Sequence, residues 1–160
     1  SGWIQKMSAT LAKVLFILYA LLTGITLSVI FLVYTIESIS LTFLATAGMF
    51  GIMSFYGFVT KRDLTNWGAV LFMGLIGIIL ASVVNLFLGN SNLDIAISII
   101  GVIIFTGLTA YDVQKIKEHN IIGNDGTDED TKESILGALR LYLDFINLFL
   151  QLLKFMGKRR

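Results

Sequence analysis

RLYLDFINLFLQ, running from Arg140 to Gln151, decides how this chain is read, because it places an aspartate, Asp144, inside a segment otherwise suited to lipid. At helical spacing the polar and small residues Glu133, Gly137, Arg140, Asp144, Asn147, Gln151 and Lys154 recur in steps of four and three, so they share one side of a single helix. The remaining sides carry leucine, isoleucine and phenylalanine. A charge at bilayer depth costs at least about 2.5–3.5 kcal/mol on insertion scales, so such a residue faces a partner or a wet cavity. Asp144 is therefore the first functional candidate.

Composition supports the membrane setting. Of 160 residues, 56% are hydrophobic and 14% charged, with a mean hydropathy of +0.82, outside the range of ordinary globular domains. A net charge of +1 and the lack of a basic run interleaved with aromatics argue against nucleic acid as a partner. With no cysteine there is no disulfide framework and no thiolate nucleophile or metal site. The start, Ser1-Gly-Trp3, lacks an initiator methionine and a signal-peptide pattern, as in a processed, tagged or truncated product.

Outward from the deciding stretch, the chain divides into uncharged runs. Val14 to Ile36 spans roughly 34 Å as a helix, enough for a hydrocarbon core of about 30 Å. Further helices are expected at about 38–60, 66–88, 94–116 and 132–156, with a polar loop at 117–131. The runs are too long for barrel strands and lack period-two alternation. The expected fold is all-α: a polytopic transmembrane helical bundle forming one membrane domain over residues 1–160. Small residues such as Gly51 and Gly57, Gly74 and Gly77, and Gly101 and Gly107 read as packing positions.

Basic residues suggest an orientation. Lys6, Lys13, Lys61, Arg62, Lys115, Lys117, Lys132 and Arg140 sort to one side, expected to be cytoplasmic along with Asn124, while acidic Glu37 and Asp94 sort to the other. Five full crossings would place Lys154, Lys158, Arg159 and Arg160 against this bias. Either the last helix stops short or the C-terminus is an exception.

Asp112, near the end of the fourth run, is the second buried-acid candidate. An antiparallel pair of helices could bring Asp112 to Asp144 if the last helix starts deep or the loop folds inward. Two carboxylates in contact cannot both ionise cheaply, so they would share a proton and respond to pH. Their oxygens are also the hard ligands that calcium prefers.

FTGLTAYDVQKI (Phe105 to Ile116), followed by LRLYLDFINLF (Leu139 to Phe149), resembles the signature of the Bax inhibitor-1 family of membrane proteins, with Thr23 to Leu27 and Glu37 in supporting positions. The resemblance spans nearly all of the chain and is most specific from Ile103 to Phe149. It implies a seven-helix bundle around a central last helix, of which five helices are visible here and the first two are missing by N-terminal truncation. It further implies a pH-sensitive calcium leak gated by a di-aspartyl pair mapping onto Asp112 and Asp144. An arginine that latches the pair in a bacterial relative would fall just before the first helix, where this chain has Lys6 and Ser8 but no arginine.

The expected function is thus a pH-sensitive calcium leak or channel, with Asp112 and Asp144 as gate, proton sensor and candidate calcium ligands. Glu37, Arg140, Asn147 and Gln151 are candidate pore or supporting residues. No cofactor is required, and calcium is the permeant ion. No nucleophile and base arrangement suggests an enzyme, His119 stands apart from other metal-ligating residues, and the acidic run from Asp125 to Asp130 lacks EF-hand spacing. The partners expected are the lipid bilayer, calcium ions and a membrane protein. The rival reading is a non-conducting interaction protein that modulates a membrane protease or a cell-death regulator. The expected location is a bacterial plasma membrane, or an internal membrane of the endoplasmic-reticulum type in a eukaryote.

Overall fold

The structure, a computed structural model, describes residues 3–121 and 126–160. After a 3-10 turn at Ile4–Lys6, the helices are α1 (Ala9–Leu27), α2 (Ile30–Val33), α3 (Ile36–Val59), α4 (Thr65–Leu88), α5 (Ser91–Ile121) and α6 (Asp128–Met156). With α1 and α2 taken together, five segments are long and apolar enough to cross a membrane. The protein is an all-α, membrane-spanning helical bundle. Its outer surface carries side chains that water would penalise, such as Leu44, Met73, Leu86 and Phe87, each more than two-thirds exposed.

Helix limits follow caps and turns more than the ends of apolar runs. α1 begins at Ala9 because the Ser8 hydroxyl accepts the Leu11 amide, and Lys13 therefore lies inside the helix. The first apolar run also breaks at Ser28 and Val29, which the uncharged sequence from Val14 to Ile36 conceals. α4 starts where the Asp63 carboxylate accepts from both the amide and the hydroxyl of Thr65, at 3.0 and 2.5 Å. Those bonds hold the Asp63 carboxyl below its usual range. The cap is therefore at full strength above the ordinary aspartate value of about 3.9 and is lost as pH falls through the lower folded-state value. α4 ends at Gly89, whose positive φ of 60° closes the helix in the left-handed conformation.

α5 and α6 run well past their apolar cores. α5 continues through Lys115, Lys117 and Glu118 to Ile121, and α6 starts at Asp128 with a capping box between Thr127 and Asp130. Lysine and glutamate are good helix formers, so the end of lipid-compatible sequence marks the membrane surface and not the helix end. The loop expected at 117–131 is correspondingly shorter. Its centre, with Asn124, lies outside the described residues.

α5 is the hub, packing against α3, α4 and α6, while α6 also packs against α3 and α1. α5 and α6 are antiparallel: Gly137 faces Ile116 near one end, and Gly101 faces Gln151 near the other. Ile78, Ile104, Phe105, Leu108 and Leu148 form the main core between α4, α5 and α6. Edge-on aromatic contacts join α6 to its other neighbours, with Tyr142 6.1 Å from Phe16, and Phe145 5.3 Å from Phe50. The α3–α4 turn is tied to α5 by Gln114, which accepts the Leu64 amide at 2.9 Å and donates to the Arg62 carbonyl at 2.7 Å.

α6 passes from one face of the bundle to the other. Its start meets the N-terminus, where the Ala9 amide donates to Asp128 at 3.4 Å. Its end is clasped against the α2–α3 connection: Thr35 donates to the Lys158 carbonyl at 3.1 Å, and Arg160 donates to the Val33 carbonyl at 2.9 Å. Of the two possibilities for the last helix, the full crossing holds within the bundle. Lys158, Arg159 and Arg160 therefore lie on the face opposite the Lys61–Arg62 turn. Single cysteines replacing Thr127 and Lys158 are expected to react with an impermeant thiol reagent from opposite sides of the membrane. Labelling of both from the same side would show that α6 does not cross.

Candidate functional site

Asp112 on α5 and Asp144 on α6 are brought together. They are only 5% and 6% exposed, and their carboxyl groups lie within interaction range of each other and of Arg140. The antiparallel register explains the meeting without an inward-folding loop. Asp112 lies nine residues before the end of α5, about 14 Å along the axis, and Asp144 lies sixteen after the start of α6, about 24 Å. Neither acid is at a helix end.

The pair opens into a groove of about 840 Å³ between α4, α5 and α6. One wall is the polar side of α6, comprising Arg140, Asp144, Asn147, Gln151 and Lys154. The facing wall from α4 is largely apolar, with Phe72, Ile78 and Val83, interrupted by Ser82 and Asn85. At the far end Lys154 meets Asp94 at 3.2 Å. A continuous line of polar side chains thus runs along one helix between an acidic pair and a neutralised ion pair.

Polar satisfaction singles out the same line. Among the described residues, five buried side-chain polar atoms lack a hydrogen-bond partner, and three line this groove: Asp112 Oδ1, Asp144 Oδ2 and Gln151 Oε1. Buried polar groups are normally paired, and these unpaired acceptors are concentrated in one groove. Arg140 is exposed and makes no ion pair within 4.0 Å among the described residues, although its charge acts on both carboxyl groups. Asn147 donates to the Leu143 carbonyl at 2.8 Å and faces the groove.

Glu37 is elsewhere. It is exposed in the first turn of α3, at the C-terminal face, and does not line the groove. Two features were not recognised from sequence, the Lys154–Asp94 pair and the seating of Gln151 against Gly101, because both depend on the register between α5 and α6. Among the described residues no group of three or more histidine, cysteine, aspartate or glutamate side chains could hold a metal ion. Two carboxylates fall short of the six to eight oxygens of a resident calcium site.

Comparison with known proteins agrees with the fold. The profile of the family described as "Inhibitor of apoptosis-promoting Bax1" matches residues 1–160. The chain is 58% identical over 164 residues to the inner membrane protein YbhL of Escherichia coli K12, covering 100% of this chain and 69% of that protein. It is 54% identical over 160 residues to a protein of Borreliella burgdorferi, with the same coverage, and 52% identical over 156 residues to one of Rickettsia prowazekii, covering 97% of this chain and 65% of that protein. The match over the whole chain, the identity to bacterial inner-membrane relatives and the apolar crossings lead to one assignment: the chain is an integral membrane protein of the Bax inhibitor-1 family.

Proposed function

We propose that the protein is a pH-responsive calcium leak, gated where Asp112 meets Asp144, with the groove along α6 as the path of the ion. The observation that carries this reading is the pair itself: two buried acids on adjacent helices, each with one oxygen lacking a donor, at the head of a polar groove. A single proton held between them supplies the missing donor and halves their charge. When it leaves, two negative charges face each other at short range. At an effective dielectric of 20, unit charges about 4 Å apart repel by roughly 4 kcal/mol, enough to bias α5 and α6 between two arrangements. A calcium ion relieves that repulsion, and Arg140, one turn before Asp144, offers a competing counter-charge.

Radiocalcium uptake into proteoliposomes tests the proposal. Uptake is expected to change with pH, by up to about tenfold per unit for control by a single proton. Absence of uptake at every pH would leave the alternative, a non-conducting partner of another membrane protein.

A further inference from the structure

We propose that Gln151, seated in the notch left by Gly101, forms a second cation station in the groove, separate from the acidic pair, with Asn147 one turn away. Gly101 is buried, and a Cβ there would lie 2.9 Å from both Cγ and Cδ of Gln151. Any larger residue would push the carboxamide toward the groove. The glycine therefore fixes where that carboxamide sits, and it sits with its oxygen buried and unpartnered. Gln151 lies seven residues beyond Asp144, about 10 Å along the helix, too far to share the gate's proton directly.

The chemistry of the station follows from its donors. A carboxamide oxygen is a neutral, hard ligand that replaces one water of a hydrated alkali or alkaline-earth cation without trapping it. Asn147 spends its amide nitrogen on the Leu143 carbonyl, leaving its oxygen as a second ligand of the same kind. Lys154, three residues on and lining the same groove, is paired with Asp94 at 3.2 Å. Position, donor type and local charge thus all admit a partly hydrated cation. The inference rests on the groove being an ion path, yet the station can be detected by binding alone.

Manganese(II) binding to the solubilised protein, followed by electron paramagnetic resonance, tests it. The background is Asp112→Asn/Asp144→Asn, so the gate carboxylates contribute nothing. Gln151→Leu, close in size to glutamine, is expected to weaken one weak site at least about tenfold, and Gln151→Glu to strengthen it about tenfold. Gly101→Ala is expected to weaken the same site by displacing the carboxamide, with helix content and melting behaviour retained in the Gln151→Leu protein as the control for folding. Equal manganese binding with and without Gln151→Leu overturns the station, whatever the flux. Uptake that ignores pH while the Gln151-dependent site persists would remove the gate and leave the station standing.

Discussion

Calcium uptake by the Asp112→Asn and Asp144→Asn proteins is expected to lose its pH dependence, each varying by less than about twofold where the unaltered protein varies about tenfold per unit. Either substitution leaves one carboxylate with no like charge to repel and with an amide donor beside it. The remaining group then has no acidic partner with which to share a proton, and the bias on α5 and α6 disappears. The Asp112→Asn/Asp144→Asn protein should add almost nothing beyond either single change, because groups that share one proton act as a unit. Effects that simply sum, or single variants that keep the full pH response, would separate the two acids and remove the gate.

The largest effect on stability is expected at Gly57. A methyl group there would run into the backbone carbonyl of Ala110, and a backbone atom cannot rotate aside as a side chain can. α3 and α5 would have to move apart along an interface that supports the α5 hub. Overpacking of this kind costs about 1–3 kcal/mol and can exceed that when backbone is involved, so Gly57→Ala should lie at or above the top of the range. Gly48→Ala and Gly51→Ala on the same helix meet nothing within 4 Å and should be neutral or slightly stabilising, as alanine is the better helix former. Thermal melting in detergent, followed by circular dichroism, compares the three. Equal melting temperatures would mean that α3 and α5 are not packed as described.

The contrast among these glycines shows what could be read from sequence. All three look alike as small residues in an apolar run, and only the angular position of α3 against α5 makes Gly57 a contact. The same applies at Gly101, where the register with α6 decides that Gln151 is the neighbour. Features that depend on the solvent were legible: long uncharged runs gave the crossings, and Asp144 within one of them gave the helix side that lines the groove. Charge could not locate helix ends, since α5 continues through Lys115 and Lys117 once outside the apolar core. The clasp of Lys158 and Arg160 on the α2–α3 connection was hidden for a different reason. Its Thr35–Lys158 and Arg160–Val33 bonds are made by backbone groups, which carry no residue-specific signature.

The central claim is that one proton shared by Asp112 and Asp144 controls passage of a cation along α6. Its most direct test is the pH profile of radiocalcium uptake, with the unaltered chain and its Asp112→Asn/Asp144→Asn variant reconstituted side by side in the same lipid. The account predicts a sigmoidal profile for the unaltered chain, changing by up to about tenfold per pH unit, and a flat profile for the variant. Superimposable profiles, whether both steep or both flat, would contradict it.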